Sequence, residues 1–137
     1  MPFVIDASIA ACWLMPDERH PVADLAFKRI AHDPAVAPSL WWFELRNMMI
    51  VNERRGRLDS AKTGQALRLL RGLPVSTDTE PDEDRLMHLA RRHRLTVYDA
   101  AYLELALRGI YPLATLDAAL IAAARAEAAP LIGESAP

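Results

Sequence analysis

Short β-type runs alternate with longer segments of helical period along the whole chain, and this alternation limits the fold more than any single residue does. Phe3 to Asp6 (FVID) is a strand candidate. The small and apolar ASIAACWL that follows has helical spacing, with Pro16 as its stop. A second amphipathic helix is expected over 17–33, with Asp17 as its cap and Val22, Leu25 and Ile30 spaced toward a core face. Ala35 to Ser39 reads as the second strand, and Ser39 is placed to cap a long helix, Leu40 to Arg55, that stops at Gly56. A helix over Ser60 to Gly72 leads into the third strand, VSTD. From Glu80 to Leu95 the acids fall in the first turn and the arginines in the last, as a helix dipole favours. TVYDAAYLELALRG is a further helix closed by Gly109. YPLATLD is a fourth strand, Ala118 to Ala129 a last helix, and PLIG a fifth strand candidate. Strand and helix in alternation predict an α/β fold, with a mostly parallel sheet of four to five short strands covered on both faces. In such sheets ligands gather beyond the carboxyl ends of the strands.

Composition bounds the rest. The chain has 137 residues, 52% of them hydrophobic and 25% charged, which fits one domain over 1–137 with one substantial core. A net charge of −2 supplies no global basic field, so a nucleic-acid partner would have to be met by a local patch. Cys12 is the sole cysteine, which rules out a disulfide framework within the chain and suits a reducing cytosol. With no long hydrophobic segment and no basic leader before Phe3, a cytoplasmic protein with no membrane span is expected.

Four acids stand out. Asp6 ends the first strand and Asp117 follows the fourth, so both belong at the carboxyl edge of the sheet, although either alone is better explained as a helix cap. Glu44 lies on the apolar stripe of its helix with Leu40, Trp41, Met48 and Val51. Burying that carboxylate unpaired would cost several kcal/mol, so it must reach the helix margin, find a cation or take up a proton. Asp99 opens its helix and again permits the cap reading. Glu104, five residues on, lies about 500° around the same helix, so the two do not form a carboxylate pair.

These segments, VIDASI, PSLWWFELRNMM, LTVYDAAYLELAL and PLATLDAAL, occur in an order and at separations that resemble the PIN-domain ribonucleases, in particular the VapC toxins of bacterial toxin–antitoxin pairs. The resemblance covers nearly the whole length. It implies a three-layer α/β/α fold and a catalytic pocket formed by Asp6, Glu44, Asp99 and Asp117. Within that pocket Asp6, Asp99 and Asp117 are the expected ligands of Mg²⁺ or Mn²⁺, and Ser8 and Thr115 the hydroxyls that support them. It further implies an RNA substrate, a homodimer, and a cognate antitoxin that inserts a segment over the pocket.

The chemistry agrees with those residue types. Two carboxylates about 4 Å apart repel by roughly 4 kcal/mol at an effective dielectric near 20, and a divalent cation relieves that repulsion. Oxygen-only ligands select hard ions, and such an ion serves phosphodiester hydrolysis by activating water and neutralising charge on the phosphate. RNA also needs a basic rim, for which Arg54, Arg55 and Arg57 form one candidate cluster and Arg91, Arg92 and Arg94 another. The four histidines show no metal-binding spacing. Trp13, Trp41 and Trp42 are expected in the core or an interface. Two other readings compete. A phosphoryl-accepting receiver-like domain wants a lysine at a late strand end, whereas Lys28 and Lys62 fall in early helices. A non-catalytic PIN-like module would use the same acids to bind a partner's arginines.

Overall fold

The computed structural model describes residues 1–15 and 17–134, so Pro16, the expected helix stop, lies outside the described residues. The elements are β1 (Phe3–Ile5), α1 (Ala7–Leu14), α2 (Pro21–Ile30), β2 (Ala35–Pro38), α3 (Leu40–Arg54), α4 (Ser60–Gly72), β3 (Val75–Asp78), α5 (Glu83–His93), α6 (Val97–Gly109), β4 (Leu113–Ala114) and α7 (Ala118–Ala126). The four strands pair in parallel in the order β3-β2-β1-β4, the α/β sheet that the alternation predicted. All three residues of β1 are fully buried although they alternate between the two faces, as a strand covered by helices on both sides requires.

Topology places the acids. The chain winds outward from β1 through β2 to β3, then returns to lay β4 on the other side of β1, so the switch point falls between β1 and β4. Ile5 pairs with Ala114, and the next residues on each strand, Asp6 and Thr115, therefore emerge side by side. Helix α6 packs across β1, β2 and β4, and α3 packs on β2. No helix among the described residues is long and apolar enough to cross a membrane.

Several local expectations are corrected. Helix α2 begins at Pro21, with His20 Nδ1 accepting from the Val22 N–H at 3.1 Å, while Asp17 is held by Arg57 instead of capping. Its buried face is Ala23, Ala26 and Ile30, with the two alanines letting it lie close to α1, and Leu25 is exposed. Ser39 makes no capping bond because its backbone is already helical (φ −58°, ψ −28°) and its N–H still bonds the Asp78 carbonyl at the sheet edge. PLIG contributes only a single bridge, Leu131 to Leu113, so the sheet has four strands. The residue that closes α6 in the left-handed region is Ile110 (φ 56°), not Gly109. Gly109 stays helical, and its lack of a Cβ admits the Tyr111 ring, which a side chain there would strike.

Glu104 was not expected in the core, yet it is 0% exposed. Its Oε1 accepts from the Asp82 N–H at 3.0 Å and from Arg108 Nε at 2.6 Å, and Arg108 reaches on to Asp78 Oδ2 at 2.6 Å. The cluster ties the end of β3 and the start of α5 to α6. Removing one partner of a buried pair leaves a charge stranded, so Arg108→Ala is expected to cost about 3 to 5 kcal/mol in urea unfolding. Asp78→Asn, at the exposed end of the cluster, should cost far less. A loss below about 1 kcal/mol for Arg108→Ala would show that Glu104 finds another partner or a proton.

Candidate active site

Asp6 follows directly on β1 and its extended backbone (φ −94°, ψ 173°) points the carboxylate back over the first turn of α1. Oδ1 accepts from the Ser8 N–H at 3.0 Å, the Ile9 N–H at 3.3 Å and Ser8 Oγ at 2.5 Å, while Oδ2 accepts from Thr115 Oγ1. Each hydroxyl also accepts a backbone N–H from the turn after β4: Leu116 to Ser8 Oγ and Asp117 to Thr115 Oγ1, both at 3.0 Å. Ser8 and Thr115 thus join the ends of β1 and β4 through Asp6. The carboxylate is 5% exposed, and burial raises its pKa to about 6 against the opposing pull of these hydrogen bonds.

Asp117 is a true cap, accepting from the Leu120 N–H at 2.8 Å. Asp99 is not, because Thr96 caps α6 and its Oγ1 accepts the N–H of Asp99 itself at 3.1 Å. Burial together with the charge of Asp117 pushes the Asp99 pKa upward, against a hydrogen bond with the Thr96 side chain that lowers it. Glu44, one turn into α3, is half-buried, and Oε1 accepts from the Tyr102 hydroxyl at 2.5 Å. Burial raises its pKa, and the Asp99 charge adds to that. The phenol of Tyr102 is pushed far above its ordinary range by burial, its bond to Glu44, and the charges of Asp6 and Asp99. The charge of Asp99 thus acts on Glu44 and that of Asp117 on Asp99, while Asp6 and Asp99 both act on the Tyr102 phenol.

Among the described residues none of the four acids is in an ion pair. That uncompensated, all-oxygen donor set fits a hard divalent ion. The structure does not, however, gather three acids tightly enough to hold one ion among the described residues, so the expected three-carboxylate set of Asp6, Asp99 and Asp117 does not converge on a single point. Magnesium tolerates this arrangement, since it binds through one or two carboxylates and keeps several waters.

The basic clusters fare differently. Arg57 is held by Asp17 at 2.9 Å and by Asn52 at 3.0 Å, and Arg92 pairs with Glu127 at 3.5 Å. Arg54, Arg55, Arg91 and Arg94 are exposed and unpaired among the described residues. Arg54 lies ten residues beyond Glu44 on α3, about 15 Å along the axis. Trp41 is buried, whereas Trp42 is exposed with the Arg46 guanidinium 3.8 Å above its ring. His93 has a structural partner in Glu127 at 2.6 Å. The residue that sequence reasoning missed is Tyr102. Its signal was its spacing, three residues after Asp99 and so on the same helical face.

The Asp6 carboxyl titrates near 6 in the folded chain against 3.8 ordinarily, so between those values the native state keeps a proton that the unfolded chain has released. Its contribution to stability is therefore largest at low pH and falls as pH rises through that window. In EDTA, Asp6→Asn should gain on the wild type by a few kcal/mol in unfolding free energy between about pH 4 and about pH 7. A difference independent of pH would mean that Asp6 stays ionised throughout.

Comparison with known proteins places this geometry. The PIN domain family profile matches residues 3–134. The chain is 33% identical over 121 residues to Ribonuclease VapC3 of Pyrobaculum aerophilum, covering 85% of this chain and 90% of that relative. It is also similar to the crystal structure of PAE2754 from Pyrobaculum aerophilum, with a TM-score of 0.71 and 25% identity over 90% of this chain and 84% of that one. On a match that runs nearly end to end, and with the sheet order and acidic edge described above, this chain belongs to the PIN-domain family.

Proposed function

We propose that this chain, folded as a single domain over 1–137, is a metal-dependent endoribonuclease, the toxin of a toxin–antitoxin pair. The observation that carries the reading is a group of four carboxylates without a cationic partner, three of them pushed upward by burial or by one another. A fold gains nothing from such repulsion unless something positive binds there. The similarity to Ribonuclease VapC3 supports RNA as the substrate; a cognate antitoxin as partner, Mg²⁺ or Mn²⁺, a homodimer and a cytoplasmic location complete the proposal.

The four side chains divide the work by which oxygens the protein leaves open. Asp6 has both oxygens engaged and is a fixed charge. Asp99 is approached only by the Thr96 hydroxyl, and Asp117 has Oδ2 engaged by one backbone N–H, so these two offer lone pairs for direct or water-mediated binding of an ion. When bound, the ion would supply neutralisation of the phosphate charge and a water of lowered pKa. Glu44 holds Oε2 free and its raised pKa suits it to take the proton of the attacking water in an in-line displacement. The products would be a 5′-phosphate and a 3′-hydroxyl. The exposed Arg54, Arg55, Arg91 and Arg94 are candidates for tracking the RNA backbone.

Purified protein should cleave structured RNA with Mn²⁺ and stop in EDTA. Asp99→Asn should lose at least a hundredfold in rate and lose the thermal stabilisation by Mn²⁺, while its metal-free stability holds or rises as repulsion is relieved. Cleavage that survives EDTA, or a wild-type rate in both Asp99→Asn and Asp117→Asn, would overturn the assignment.

A further inference from the structure

We propose that Tyr102 is a positioning residue for Glu44, fixing that carboxylate over the pocket so that only its free oxygen meets the attacking water; this rests on the ribonuclease reading above. Tyr102 is 2% exposed in α6, and its hydroxyl bonds Glu44 Oε1 across to α3 at 2.5 Å. Among the described residues it is the one hydrogen bond that joins the helix carrying Asp99 to the helix carrying Glu44. A buried phenol needs an acceptor. Any backbone carbonyl would satisfy it, yet this one is committed to a carboxylate of the pocket.

The choice of Glu44 has a physical reason. Asp6 is already held by two hydroxyls and two backbone N–H groups, and Asp117 by one backbone N–H. Glu44 has no such local anchor, and glutamate carries one more rotatable bond than aspartate. Unrestrained, it would sample several rotamers at a cost of order 1 kcal/mol to order. The Tyr102 hydroxyl removes that freedom by engaging Oε1 alone and leaving Oε2 open. Since the phenol is held far above its ordinary pKa, it stays a donor at any working pH. The spacing of Tyr102 from Asp99 puts both on one face of α6, so the residue that orients Glu44 moves with the acid that lies beside it.

Tyr102→Phe removes one oxygen and keeps the ring. In the full chain with Mn²⁺ we expect kcat on RNA to fall roughly tenfold to hundredfold, with KM and the Mn²⁺ half-saturation within about threefold of wild type. In the Glu44→Gln background the same change should cost nothing further, because Tyr102 acts only through Glu44. Unfolding in EDTA tracks any general loss of packing. An undiminished kcat in Tyr102→Phe sinks this proposal alone, as does an equal loss in both backgrounds. A wild-type protein that leaves RNA intact sinks the ribonuclease reading and this role with it.

Discussion

The carboxylate of Asp6 is the point on which the two halves of the sheet edge depend. β4 is only two residues long and could not fix its own exit direction by ladder bonds alone. Its exit is set instead by side chains, since Ser8 and Thr115 grip both Asp6 and the turn that leads into α7. The position of Asp117 follows from that grip. A strand too short to be stable by itself thus ends in a well-defined corner, and the corner holds Asp6 and Asp117.

The surface charges make the same point by contrast. Outside the pocket, acids find arginines: Asp17 with Arg57, Glu127 with Arg92, Glu104 and Asp78 with Arg108, Glu134 with Arg125. The chain has fourteen arginines and, among the described residues, places none in an ion pair with Asp6, Glu44, Asp99 or Asp117. With so many cations at hand, leaving this group unpaired is a property of the fold rather than of composition. Desolvation then raises the proton affinity of Asp6, Glu44 and Asp99.

Much of this was readable beforehand, for identifiable reasons. An apolar run that stops on an acid marks a strand's carboxyl end, which located Asp6 and Asp117. An acid on an apolar helical stripe marks a partly buried carboxylate, which located Glu44. Of the two readings of Asp99, the cap falls away, because the Thr96 hydroxyl takes the capping role at the start of α6. What could not be read were pairings between distant segments. Nothing near Arg57 in sequence announces Asp17, and nothing near Arg92 announces Glu127, so both basic clusters looked freer than they are. Glu104 was hidden for the same reason. Its partner Arg108, four residues on, is ordinary for an exposed helix, and only the Asp82 N–H and the packing of α5 make the pair a buried one.

The Ser8 and Thr115 bonds also have a direction. In each, a backbone N–H points to a hydroxyl and the hydroxyl points to Asp6, so the dipoles line up and converge on one carboxylate. A proton arriving on Asp6 would oppose that polarity, and the hydroxyl facing it would have to turn away and seek another acceptor. The corner between β4 and α7 is therefore tied to the carboxylate of a residue more than a hundred positions earlier in the chain, and two hydroxyl groups make that tie.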